Sequence, residues 1–212
     1  MPSATASAPP AVEPPAEKPP APQTSRTERL AGKLSEGWIV FDPPTKRFVA
    51  VTSFAEEGNG VGIVGVVVPT DETKSQFFTL CEPEDNCVPA SEGLDEANIA
   101  RIDDWLGERS VDKALAIEPA EFTDEKVPTA ALPALAAQLV WRSGQLEFTR
   151  NKKTTKLAKL VVDKEFTPRP FRVAASPDAK HLCVLYELDP GANYAKGFNL
   201  HVEAITYAVP TN

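Results

Sequence analysis

Histidine and cysteine are scarce in this chain, with two and three copies in 212 residues. A Ser-His-Asp or Cys-His arrangement would therefore have to draw on His181 or His201, and nothing near either marks an activated nucleophile. No nucleophile elbow, phosphate-binding glycine loop, HExxH or dinucleotide fingerprint occurs, and no CxxC pair suggests a zinc ribbon or a thioredoxin-type site. Basic residues are outnumbered, 22 Lys and Arg against 30 Asp and Glu, giving a net charge of -8. That balance argues against nucleic acid as a general partner, because phosphate binding needs a basic footprint. Apolar runs long enough to cross a bilayer are missing. The first residues also lack the apolar stretch of a secretory leader, so an extracytoplasmic destination requires an anchor or leader removed ahead of Pro2.

What is present divides in two. Residues 1–36 form a Pro/Ala-rich tether with a polar lead-in, and its first 23 residues hold no large apolar side chain except Val12 and the initiating Met1. Such a segment cannot offset its ordering entropy by burial and is expected to be disordered and extended. Its composition is like that of linkers holding bacterial envelope domains away from a lipid anchor, as in a lipoprotein. A disordered tail of a cytoplasmic protein has the same composition. Residues 37–210 carry the apolar patterning of one domain, within a chain that is 42% hydrophobic.

Short alternating or fully apolar runs bounded by turn formers predict strands over residues 38–42, 47–54, 61–69, 75–81, 138–141, 145–150, 156–162, 171–175, 181–188 and 198–208. The run 61–69 is apolar on both strand faces, as in a strand buried on both sides. One helix is expected over residues 94–106, with Leu94, Ala97, Ile102, Trp105 and Leu106 toward the core, Ser91 or Gly93 at its start and Gly107 just past its end. The fold class is α+β, with about eight or nine of these runs expected as mainly antiparallel strands, and one main helix.

Residues 42–54 (DPPTKRFVAVTSF) lie over residues 176–188 (SPDAKHLCVLYEL) without a gap, each preceded by a strand that starts on an aromatic residue and followed by a glycine-containing loop and another strand. Two related three-stranded meanders are expected. The turn Ser176-Pro177-Asp178-Ala179-Lys180, followed by an apolar strand, resembles the S-P-D-G-K turn of Tol-type β-propeller blades and of some secreted bacterial domains. Alanine stands at position 179 where that pattern has glycine. The resemblance implies an envelope location and brings no catalytic residue with it. Too few strands are present to close a propeller.

Three groups of residues are candidates for chemistry or contact. Cys81 and Cys87 flank a short polar loop and suit a small disulfide in an oxidising compartment. Pairing residues 181–188 with 198–203 about Ala192 sets Leu182, Val184 and Tyr186 opposite Val202, Leu200 and Phe198 as one apolar face. The other face then brings together His181, Cys183, His201 and Glu203, four side chains acceptable to zinc. The plainer reading of that face is an exposed cross-strand His–Glu pair beside a small buried cysteine. Finally, residues 142–180 hold ten Lys and Arg against four Asp and Glu. Lys152, Lys153, Lys156 and Lys159 make a basic patch able to meet an anionic surface, lipid or polysaccharide, or simply a solvated hairpin.

These features point to a non-catalytic binding or structural module of the bacterial cell envelope, meeting a protein or other envelope component and no nucleic acid. Its location would be periplasmic or secreted, with membrane contact only through a removed anchor or leader. The alternatives are a metal-dependent or unrecognised enzyme using the His181/Cys183/His201/Glu203 face, and a cytoplasmic interaction domain with a disordered tail.

Overall fold

The computed structural model describes residues 38–56, 60–71, 75–85, 87, 96–111, 114–162, 164, 166–189 and 201–211. The tether, its polar lead-in and the expected capping residues Ser91 and Gly93 lie outside them.

The first sheet grows as a meander. Strands β1 (Trp38–Asp42), β2 (Arg47–Glu56), β3 (Gly60–Pro69) and β4 (Gln76–Cys81) pair antiparallel in order, and β5 (Leu115–Ala116) adds to β1. Pro43 and Pro44 sit in the four-residue turn between β1 and β2, whose last pair is Asp42 with Arg47. Consecutive apolar residues give both faces something to bury, and seven consecutive residues of β3, from Gly62 to Val68, are buried.

A second meander follows a different chain segment. Strands β7 (Thr129–Leu132), β8 (Ala137–Arg142), β9 (Gln145–Arg150) and β10 (Lys153–Lys156) form a four-stranded sheet. A single 3-10 turn at Pro133–Leu135 links β7 to β8, with Pro133 at its start. The β9–β10 turn is tight, with Asn151 and Lys152 both left-handed, at φ 49° and 63°. The remaining sheet has β6 (Ala120–Glu121), β11 (Thr167–Ala175), β12 (His181–Asp189) and β13 (His201–Ala208), in the order β13-β12-β11-β6. Pro168 and Pro170 are tolerated in β11 because the two-residue β6 pairs only with Arg172 and Val173, leaving the proline half unpaired on that side.

The chain is thus mainly antiparallel sheet with one helix, α1 (Glu96–Glu108), as its composition and patterning predict, though with more strands than eight or nine. Four layers are stacked. Helix α1 covers one face of the β1–β5 sheet, where Ile102, Trp105 and Leu106 meet Trp38, Val40, Val49, Val51, Ile63 and Val67. The opposite face of that sheet, with Phe41, Phe48, Ala50, Val64 and Val66, packs on Ala174, Cys183, Leu185 and Ala204 of the β13-β12-β11-β6 sheet. The far side of this middle sheet, with Val173, Leu182, Val184, Tyr186 and Tyr207, packs on Leu139, Leu146 and Phe148 of the β7–β10 sheet. The middle sheet is buried on both sides.

The helix departs from expectation at both ends of its pattern. Gly107 lies within it rather than beyond it, and the left-handed residue after it is Ser110, at φ 53°. Ala97 is exposed and Asn98 buried, the reverse of a core-facing Ala97. Trp105 does reach the sheet, where it lies against Gly65 and the Phe78 ring, and the Arg109 guanidinium sits 4.0 Å from the Phe78 centroid.

The two expected meanders share one register. Phe41 pairs with Phe48, and Ala175 pairs with Leu182, which are the same positions once the two segments are superposed. Both turns have four residues and are braced by the buried residue before them. Asp42 accepts from Thr45 Oγ1 and from Arg47 Nε. Ser176 Oγ donates to Asp178 Oδ1 at 2.6 Å and accepts from the His181 N–H at 3.0 Å.

Candidate functional site

The expected metal face is not assembled. In the structure β12 and β13 pair His181 with Ala208, Cys183 with Thr206, Tyr186 with Glu203 and Leu188 with His201. This register differs by five residues from a hairpin about Ala192. An odd slip exchanges the two faces of one strand relative to the other. Glu203 therefore shares a face with Tyr186, and Cys183 lies on the opposite one. His181 and His201 pair with opposite ends of the hairpin, seven residues or about 23 Å apart along the strand. Among the described residues no group of three or more His, Cys, Asp or Glu side chains is placed to hold a metal. Phe198 and Leu200, the other members of the expected apolar face, lie outside the described residues.

The physical reason is the double burial of the middle sheet. The expected register assumes one dry and one wet face, whereas β12 needs apolar neighbours on both. The actual pairing puts small side chains, Ala204 and Thr206, toward the first sheet and Tyr207 toward the other, where its hydroxyl meets that of Tyr186 at 2.7 Å. Cys183 is free and fully buried, and burial pushes its thiol pKa well above the ordinary range. Burial likewise raises both tyrosines, with mutual repulsion adding to the rise at Tyr186. A thiol in this state is neither a nucleophile nor a ligand at neutral pH.

The cysteine loop is assembled as expected. Cys81 and Cys87 are joined, with Cα atoms 6.1 Å apart, and Arg101 Nη1 donates to Cys81 Sγ at 2.8 Å. The bridge ties the end of β4 to the core under α1, since both half-cystines belong to the Trp105 cluster.

A groove that sequence reasoning did not find lies along the edge of β13 that pairs with no described strand. One part, of about 790 Å³, runs between Ser75 and Phe77 on one side and residues 155–161 on the other, with residues 203–208 at its back. It continues into a second part, of about 560 Å³, past Thr79, Val162, Phe166 and Val202. The groove arises because β13 packs over β3 and β2 while β4 projects one strand further. The face of β4 that looks across the stack, with Phe77 and Thr79, is then only partly covered. Phe77 is 41% exposed and Val161 89% exposed, two of the four large apolar side chains that the described residues leave open.

The basic patch stands on the same side of the molecule. Lys152 and Lys153 are exposed at the tip of the β9–β10 hairpin, while Lys156 and Lys159 line the groove. The segment after β10 differs from the sequence reading here. Residues 156–162 do not form the third strand of that meander; the strand is Lys153–Lys156, and Leu157 and Leu160 are buried as irregular chain beneath the groove wall. The signal available in the sequence was the pair of adjacent apolar residues, Leu160 and Val161, which a strand with one wet face does not need. On a scale beyond these residues, no family model matches the chain, and comparison with curated proteins and with solved structures gives no match.

Proposed function

We propose that the protein is a non-catalytic binding module of the bacterial cell envelope, held on its Pro/Ala-rich tether and meeting a protein or other envelope component in the groove along β13. The observation that carries this reading is the coincidence of exposed Phe77 and Val161 with Lys156 and Lys159 around one recess. Apolar contact area ringed by charge is the composition of a recognition surface. The extracytoplasmic part of the reading is supported by the Cys81–Cys87 bridge, a type of bond that persists in oxidising compartments and is rare in the cytosol. No described helix is long and apolar enough to cross a membrane.

Two measurements test it. A photo-crosslinking amino acid at position 161, in the full chain expressed in its native cells, should give one discrete adduct with an envelope component, and none when the probe is moved to Glu125. A smear, or no adduct, refutes the binding site. Protein taken from those cells should show one thiol under denaturing, non-reducing conditions, that of Cys183. Three thiols would refute the oxidising compartment.

A further inference from the structure

The internal repeat identifies what the groove is shaped to hold. In the first unit β3 is followed in space by β4, which pairs along Ile63–Val67. In the second unit β13 takes the place of β3, pairing with β12 as β3 pairs with β2. No described strand takes the place of β4 beside β13. That place is the groove. Its back wall is a backbone edge beside which no described strand lies: the Val209 N–H donates to the Lys180 carbonyl, so by antiparallel alternation residues 202, 204, 206 and 208 aim their backbone groups away from β12. One of those outward groups, the Ala204 carbonyl, already accepts a bond across the stack from Ser75 Oγ.

From this geometry, and resting on the binding-module reading, we infer that the ligand is an extended segment of a partner protein that adds to β13 as the fourth strand of the second unit. Backbone bonds to the free edge supply affinity without regard to sequence, and the two walls supply specificity. Side chains of an added strand alternate between the walls. Those on one side meet Phe77 and Thr79 of β4; those on the other meet the segment carrying Lys156 and Lys159. The segment selected is one in which apolar and acidic residues alternate.

The test uses the full chain and an acetylated, amidated heptapeptide in which valine and glutamate alternate. Saturable one-to-one binding is expected, falling about tenfold when lysine replaces glutamate in the peptide or when Lys156→Ala and Lys159→Ala are combined. N-methylation of the valine amides alone, or of the glutamate amides alone, blocks one edge of the peptide. One of these two peptides should lose binding and the other keep it. Amide exchange at Thr206 and Ala208 should be fast in the free protein and slowed by the peptide. Failure of the peptide to bind, or equal binding of the two N-methylated forms, overturns strand addition. Protection already present in the free chain would mean that another segment of this chain fills the groove, and protection that rises with protein concentration would mean a second copy; either overturns it too. If the crosslink from position 161 is obtained while the N-methylated peptides bind alike, the binding module stands and only strand addition falls.

Discussion

The buried tyrosine pair gives the sharpest check on how the middle sheet is held to the β7–β10 sheet. Tyr186 is completely buried and packs edge-on against Trp141 with ring centroids 5.7 Å apart, while Tyr207 is 6% exposed and also lines the groove. Their hydroxyls are 2.7 Å apart. Tyr207→Phe removes the partner of the deeper hydroxyl, which no water reaches, so the cost should approach that of an orphaned buried polar group, about 2–3 kcal/mol. Tyr186→Phe leaves the shallower hydroxyl, which can turn toward the groove and its water, so the cost should be nearer ~1 kcal/mol. The double variant loses both polar groups together and should cost little more than the cheaper single change. The coupling predicted by that cycle is about 2 kcal/mol. Urea unfolding of all four proteins at neutral pH measures it, with both phenols neutral because burial raises their pKa values. In melting temperature each kcal/mol should read as about 2–4 °C for a chain of this size. Additive costs, or a Tyr186→Phe change more damaging than Tyr207→Phe, would refute the reasoning.

Three further outcomes follow from the same structure. An ideal Cβ at Gly65 would lie 2.6 Å from the Trp105 ring, so Gly65→Ala should push α1 off the first sheet at a cost of about 1–3 kcal/mol, seen as a changed near-ultraviolet dichroism of tryptophan. Replacing both Cys81 and Cys87 by serine opens a loop of sequence separation 6 and should cost about 2 kcal/mol in chemical denaturation, with β13 and its groove intact. Stability should fall on the alkaline side. Cys183, Tyr186 and Tyr207 keep their protons in the folded chain while the unfolded chain releases them above about pH 8.5 for the thiol and about pH 10 for the phenols, each group then removing up to ~1.4 kcal/mol per pH unit. Cys183→Ala should flatten the part of that curve between these two values, and an unchanged curve would contradict the burial of the thiol.

How far the sequence could be read depended on how much of each element's reason for existing was local. Strands β1 to β4 were legible because valine-rich runs and a Pro-Pro turn act within a dozen residues. The repeat was legible for the same reason, since its equivalence rests on a turn and the strand after it. The two-residue β5 and β6, the TAAL of β7 and the KTTK of β10 carry almost no intrinsic preference and are strands only because a neighbouring edge accepts them. The β12–β13 register failed for a different cause. The connection between them holds no tight-turn signature that fixes the pairing, so the choice rested on which faces were apolar. That criterion loses its power when both faces of a strand are buried, as Cys183 and Leu185 on one side and Val184 and Tyr186 on the other show. The groove was invisible because it belongs to no single segment: β4, β13 and the chain after β10 each supply one side.

The way the two related units meet explains the layers that surround them. Phe48 and Ala50 of the first unit pack on Cys183 and Leu185 of the second. The equivalents of Phe48 and Ala50 in the second unit are Leu182 and Val184, and these pack instead on the β7–β10 sheet. The units are therefore stacked face to back, like successive repeats of a solenoid, and not face to face as a two-fold pair would be. A face-to-back stack always leaves two unlike apolar ends to cover. At one end stands the Val49 and Val51 face, which α1 closes with Trp105, Ile102 and Leu106. At the other stands the Leu182 and Val184 face, closed by a sheet whose outer side carries Thr129, Gln138, Arg142, Glu147 and Thr149. Each closing element is apolar inward and polar outward, so the stack ends in water at both limits. Closure along the stack does nothing for its flank, where a unit with β4 lies beside one with no counterpart to it among the described residues. Among the described residues the edge of β13 is therefore left without the strand that its counterpart β3 has, and Phe77 is exposed beside it.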